Sequence, residues 1–314
     1  MNYDEQHRKH LIDYLQQIER LFYQWVGFSV SLALKTDFQE LVTSTLFAFA
    51  ATKKGKAFDK ELAKFSNQLD QIIKQGITKE WEFANLKQDK LLREGLTKYK
   101  NLEALETFKT RKIKDFTVSN RVWDIAKKAQ SEIELALSVS LEEGKSAVQL
   151  SREVRNLLNN PTALFRRVRD KYGNLVLSKN AQNYHPGQGV YRNAYKNALR
   201  LASNEINVAY KSADWLRIQQ NPDVVGFEVR LSPQHKVYDM CDELKGKYPK
   251  SFRFHGWHVG CKCHIITILK TDEELIKELK ADETLPPESS SNYVGDVPSN
   301  YKQWVTDNKD RFKN

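Results

Sequence analysis

The sequence predicts an α+β protein that is predominantly α-helical, with long N-terminal helices and a small C-terminal unit containing strands and a Cys/His corner. Three observations lead there. Apolar residues recur at helical spacing through the first 160 residues. Two segments with strand character appear only after residue 223. Beside the second of these lies FHGWHVGCKCH (254–264), which holds three of the chain's seven histidines and two of its three cysteines.

Leu11, Leu15, Ile18, Phe22 and Trp25 repeat at steps of four, three, four and three, one apolar stripe of a helix. KKGK (53–56) reads as a turn, and a second helix starts near Phe58 and runs through Leu62, Phe65 and Leu69. Gly76 punctuates it, and WEFANLKQDKLL (81–92) resumes helix. Val122, Ile125, Ala129, Ile133 and Ala136 mark a further helix over 118–137. SAVQLSREVRNLL (146–158) is a short one, stopped by Asn159, Asn160 and Pro161. The bland reading of each stripe is ordinary bundle packing.

HPGQG (185–189) is a loop, and residues 191–220 read as one long helix. Asn221-Pro222 ends that helix, because the residue before proline avoids the helical region. VVGFEVRL (224–231) alternates, with Val225, Phe227, Val229 and Leu231 facing one way and Glu228 and Arg230 the other. CHIITIL (263–269) is a strand apolar on both faces. An acidic helix, DEELIKELKADE, follows Lys270 and Thr271. The proline, serine and glutamate of LPPESSSNYVGDVPSN then suggest a mobile linker, before Tyr301, Trp304, Val305 and Phe312 mark a terminal helix that docks on its own chain or a neighbour.

The formal net charge is +10, which favours an anionic partner without specifying a fold. Residues 161–220 concentrate that excess: ten basic residues against Asp170, Glu205 and Asp214. Tyr172, Tyr184, Tyr191 and Tyr195 are interleaved. Arg166, Arg167, Arg169, Lys171, Arg192 and Lys196 are therefore candidates for contact with nucleic acid, since cations suit phosphates and aromatics suit bases. The competing reading is a solvated face whose arginines pair with carboxylates elsewhere. The most apolar stretch, WVGFSVSLAL (25–34), stops at Lys35, so no membrane span is expected. MNYDEQHRKH lacks a signal-peptide pattern, and three cysteines make no disulfide framework, which together suggest a reducing cytoplasm.

Cys241, His258, Cys261 and Cys263 form a Cys₃His set of the kind a structural Zn²⁺ requires, with His255 and His264 as alternative ligands. A corner of buried reduced thiols with hydrogen-bonded histidines is the competing reading. A catalytic metal would need a general base, and Asp239 and Glu243 are the only candidates close in sequence. Gly-rich phosphate loops, GxSxG elbows and HExxH pairs are absent.

DMCDELKGK (239–247) followed by GWHVGCKC (256–263) resembles the signature of the phage Mu F-like head morphogenesis family. Members carry a Cys-x-x-Leu-x-Gly element and then His-Pro-x-Cys-Arg-Cys. NALRLASNEINVAY (197–210) resembles the family's helix, while NPTALFRRVRD (160–170) and YHPGQGVYRNAYKNA (184–198) look like the version carried by phages and prophages of Bacteroidetes hosts. The likeness covers roughly residues 80 to 270, weaker at the Trp304 helix. It departs from the family pattern at Val259 for proline, Lys262 for arginine, Ser203-Asn204 for Arg-Thr and Tyr238 for a frequent additional cysteine.

The resemblance implies a helical N-terminal region (1–117), the head morphogenesis domain (118–270) and a tail of acidic helix, linker and terminal helix (271–314). It implies a minor capsid protein of a tailed bacteriophage or prophage, not an enzyme. Such a protein works in the phage head and, during assembly, in the host bacterial cytoplasm. Its partners are the portal protein, other head proteins and double-stranded DNA. Cys241, His258, Cys261 and Cys263 match the family's metal-binding positions, and Glu205 matches its glutamate; Glu205, Asp239 and Gly246 are assigned structural roles. The rival expectations are a metal-dependent nuclease or other DNA-processing enzyme, and a prophage-derived nucleic-acid-binding protein.

Overall fold

The computed structural model describes residues 3–35, 47–91, 100–142, 149, 152–156, 167–177 and 193–312. The protein is mostly helical with a small C-terminal antiparallel sheet. Its helices are α1 (Tyr3–Leu34), α2 (Gly55–Leu91), α3 (Leu102–Thr110), α4 (Val118–Glu142), α5 (Ala194–Gln220), α6 (Met240–Leu244), α7 (Asp272–Ala281) and α8 (Ser299–Asp307). Its strands are β1 (Arg167–Arg169), β2 (Leu175–Leu177), β3 (Val224–Arg230), β4 (Gly246–Tyr248) and β5 (His264–Leu269). The chain forms two compact units, each discontinuous in sequence: Met1–Leu11 with Ile77–Phe108 and Asn204–Asn314, and Ile12–Gly76 with Lys109–Ser203.

In the second of these units the α1 stripe does what its spacing predicts. Ile18, Phe22, Trp25 and Val26 are buried. The Trp25 ring stacks on Phe65 at 4.6 Å, and Phe22 meets Phe65 edge-on at 4.9 Å. Val122, Ala129, Ile133 and Ala136 of α4 are likewise buried. The Glu132 carboxylate, also buried, accepts the Ala194 N–H at 3.0 Å, which gives the first turn of α5 an acceptor and an anion where the helix dipole favours one. β1 and β2 form a two-stranded antiparallel hairpin with Val168 opposite Val176.

Gly76 does not break α2, which runs uninterrupted from Gly55 to Leu91. Glycine costs about 1 kcal/mol in a helix interior. Burial of Leu69, Ile73, Ile77, Trp81 and Ala84 along one stripe outweighs that cost. Of the helix expected at 146–158, residues 149 and 152–156 are described and are helical. HPGQG, Arg166 and Arg192 lie outside the described residues.

In the first unit the sheet has the order β4-β3-β5, all antiparallel. Phe227 sits opposite Tyr248 on one side and Thr267 on the other. The strict alternation expected for β3 fails at its start. Val224 and Val225 are both fully buried, because the register shifts between Val224 and Gly226. β5 is not apolar-buried on both faces: Ile265 is 4% exposed but Ile266 is 37% exposed. α7 begins with a capping box in which the Thr271 hydroxyl and the Glu274 carboxylate satisfy each other's backbone N–H groups.

The stretch expected to be a mobile linker is packed instead. The Val294 N–H donates to the Val225 carbonyl at 3.1 Å, and the Val294 side chain fills the space at Gly226, where a Cβ would lie 2.7 Å from Val294 Cγ2. Ser290 Oγ donates to Glu274 at 2.6 Å. Composition measured how few large apolar groups this stretch has, but not that β3 leaves a slot for one valine. Beyond it, α8 docks on its own chain: the Tyr301 ring meets Tyr248 edge-on at 5.7 Å.

Candidate metal centre

Three local structures deliver the corner. The first is α6, a single turn whose N-cap Asp239 accepts the Cys241 N–H at 2.7 Å and whose Asp242 accepts the Asp239 N–H at 3.0 Å. This cap fixes Cys241 at the start of the helix. The second is the 254–263 loop. Gly256 adopts φ +111°, and a Cβ there would stand 3.2 Å from Cys261 Cβ and 3.3 Å from Lys211 Nζ, so only glycine allows this approach. The third is α5, which grips the loop from below. Asn207 Nδ2 donates to the Cys261 carbonyl at 2.7 Å, and Lys211 Nζ donates to the same oxygen at 2.6 Å.

These elements bring Cys241, His258 and Cys261 together, with their ligand atoms all within 4.8 Å of one another. Cys241 Sγ lies 3.1 Å from His258 Nε2 and 3.7 Å from Cys261 Sγ. Cys263 is buried in the same core but stands outside this group of three ligand atoms. All three cysteines are unbridged and buried, and they belong to the same core cluster as Phe227, Val229, Tyr248 and Phe254. His258 Nδ1 donates to the Val259 carbonyl at 3.0 Å. A carbonyl can only accept, so the proton of the neutral ring is on Nδ1 and the Nε2 lone pair faces the thiols. That is the tautomer a metal-ligating imidazole needs.

The electrostatics are those of crowded thiols. Hydrogen bonds from Cys241 and Cys263 hold the Cys261 thiol far below the ordinary range, with the Lys211 ammonium adding to the effect. The same bonds push Cys241 far up, helped by burial. For Cys263 the bond with Cys241 lowers the value, but the bond with Cys261 and burial outweigh it and push the thiol up to about 12.

Two soft thiols, Cys241 and Cys261, and an imidazole with its Nε2 turned toward them fit a metal ion such as Zn²⁺. His255 and His264 stand outside the group. His255 is exposed, and His264 opens β5 half-buried, its titration pushed down by burial. A second cluster, His235, Asp239 and Asp242, adjoins the first through Asp239, which stands 3.3 Å from His258 Nε2. His235 Nε2 donates to Asp242 at 2.7 Å, which ties the 232–239 loop to the helix cap.

The other candidates are dispersed. Glu205 is fully buried on α5, and Gly246 opens β4. Arg169 and Lys171 are exposed on the β1–β2 hairpin, where Tyr172 is 75% exposed at the turn. Arg167 opens β1, and Lys196 is half-buried in the first turn of α5. Two of the ten basic residues counted in 161–220 are not surface charges at all. Lys211 is buried on the Cys261 carbonyl, and Arg217 is buried and paired with Asp89 at 2.6 Å. Sequence reasoning missed Asn207, Lys211, His235 and Gly256 as supports of the corner. The i, i+4 spacing of Asn207 and Lys211 placed them on one helix face but gave no hint of what that face would hold. No helix among the described residues is long and apolar enough to cross a membrane. No protein-family model, curated protein or solved structure matches the chain.

Proposed function

We propose that the chain is a minor head protein of a tailed phage or prophage. In this reading it is an assembly component that joins the portal and other head proteins, contacts DNA, and carries one structural Zn²⁺ on Cys241, His258, Cys261 and Cys263. The observation that carries the reading is the convergence of the Cys241 and Cys261 thiols on His258 Nε2, with Cys263 buried in the same core. A set of four protein ligands leaves no position for a substrate, which is the pattern of structural zinc and not of catalytic zinc. The ion would add a direct tie between α6 and the loop before β5. The residues that hold this corner are those of the two motifs resembling head morphogenesis proteins.

The test is elemental analysis of the protein purified without chelator. About one equivalent of zinc is expected, lost in a variant with Cys241→Ser and Cys261→Ser. Less than about a tenth of an equivalent in a folded sample would overturn the metal reading, because structural zinc binds tightly at neutral pH. Metal-dependent cleavage of DNA by the purified chain would replace the assembly role with the nuclease reading. Co-expression with the portal protein of the same genome checks the assembly role directly, with co-purification as the expected result.

A further inference from the structure

A second buried polar system reaches the corner through Asn207. Glu80 of α2 is fully buried, and its two carboxylate oxygens lie 2.5 Å from His7 Nδ1 and 2.6 Å from His10 Nδ1, both on α1. His7 Nε2 lies 3.2 Å from Asn207 Oδ1. Asn207 in turn donates its Nδ2 to the Cys261 carbonyl. His7 is 4% exposed and stacks on Tyr210 with ring centroids 4.2 Å apart.

The chain of contacts fixes where the protons are. The Cys261 carbonyl only accepts, so Asn207 must turn its Nδ2 toward it and its Oδ1 toward His7. An amide oxygen also only accepts, so His7 Nε2 carries a proton. One further proton then has to lie between His7 Nδ1 and Glu80, on whichever of the two atoms holds it. Without it, either the imidazole lone pair faces the carboxylate or the ring shifts its remaining proton to Nδ1 and turns a lone pair on Asn207. Each alternative breaks one link. Around the His7–Tyr210 stack the other charged or titratable groups are Tyr3, Asp4 and His10 from α1, Lys87 from α2, Asp214 and Lys211 from α5, and His264 from β5. Burial pushes the Tyr210 hydroxyl far above its ordinary range, so the ring adds no charge.

We propose that the proton shared by His7 and Glu80 is a latch. While it is bound, the N-terminal turns of α1 hold Asn207, and Asn207 holds the Cys261 backbone; once it is lost, that grip loosens. His7 is thus a positioning residue for the corner, acting through Asn207. The latch rests on the metal reading only for its second measurement below.

The first measurement is the nitrogen spectrum of ¹⁵N-histidine-labelled full chain, with His7 assigned by loss of its signals in His7→Phe. The latch expects His7 Nε2 to be protonated at neutral pH; an unprotonated Nε2 overturns it. The second is the rate of zinc loss to a chelator at one neutral pH. The latch expects His7→Phe and Asn207→Ala each to lose zinc about three- to tenfold faster than the parent, the value of one net hydrogen bond, and the double variant to be no faster than Asn207→Ala. Lys211→Met, which removes the other donor to Cys261, should instead add to the effect of His7→Phe. A double variant of His7→Phe with Asn207→Ala faster than Asn207→Ala alone, or His7→Phe as slow as the parent, overturns the latch. If the parent holds no zinc, the metal reading fails separately, and the latch is judged on the nitrogen spectrum and on amide exchange at Cys261. That N–H, bonded to the His258 carbonyl at 3.0 Å, should exchange faster in His7→Phe than in the parent at one pH; equal exchange overturns it.

Discussion

Asp214→Ala should be among the most damaging substitutions in the chain that touch no thiol. Asp214 is 1% exposed on α5. It accepts from the Lys87 ammonium and from the Gln88 amide, both on α2, and Lys87 itself is 6% exposed with its Nζ 5.4 Å from the centre of the Tyr210 ring. An exposed pair of this kind is worth about 0.2–1 kcal/mol. Burial changes the arithmetic, because removing the acid leaves a desolvated ammonium facing only an aromatic ring. The expected cost is about 3–5 kcal/mol, a factor of a few hundred to a few thousand in the unfolding equilibrium. The double replacement Lys87→Met with Asp214→Leu removes both charges but leaves the buried Gln88 amide without its acceptor, so it should recover part of the loss and lie about 1–3 kcal/mol below the parent. Urea unfolding followed by circular dichroism and tryptophan fluorescence measures both, with Trp81, Trp215 and Trp257 reporting on the unit that holds the pair. A cost below about 1 kcal/mol for the single variant, or a double variant as unstable as the single, would refute the reasoning.

Gly226→Ala should expel the terminal segment, since the added Cβ would lie 2.7 and 2.8 Å from two Val294 carbons and 3.1 Å from the Tyr248 carbonyl. Limited proteolysis should then cut between Leu285 and Pro298, where the parent resists. Acid should loosen the same region. Hydrogen bonds from Ser290, Ser291 and Thr271 hold the Glu274 carboxyl down at about 2 from its ordinary 4.5. A depressed carboxyl contributes stability above its unfolded value and loses it as pH falls through the folded one. Hydrogen exchange at Ser291 should therefore gain an acid-dependent opening between about pH 4.5 and 2, absent in Glu274→Gln. On the hairpin, Arg169→Gln with Lys171→Gln should reduce the slope of log affinity for duplex DNA against log salt by about two. An unchanged slope would move the contact elsewhere or point to an acidic protein partner.

The sequence by itself determined the elements whose signal is local. The stripe through Ile18, Phe22 and Trp25 needs only helical periodicity to declare its buried face, and it is buried. Asn221-Pro222 ends α5 by local sterics, and the start of β3 follows at Val224. Cys241, His258 and Cys261 stood out by residue type and spacing, and the structure brings their ligand atoms together. What only the tertiary structure decided depends on groups far apart in the chain. Gly76 looked like a break because propensity is read residue by residue, whereas the burial that overrides it is summed along the whole face of α2. LPPESSSNYVGDVPSN looked like a linker because its composition is poor in apolar groups, but one valine in a slot beside Gly226 fixes it. Lys211 and Arg217 entered the basic excess of 161–220 because charge is tallied without burial; a carbonyl 50 residues away and a carboxylate 128 residues away take them inside, the latter as the competing reading of paired arginines expects. The His10–Glu80–His7–Asn207–Cys261 chain had no sequence signature, since it joins three helices and a loop and each of its side chains is ordinary where it stands. Hydrogen bonds of that kind are set by the packing of helices, and packing is the property that spacing along a chain does not encode.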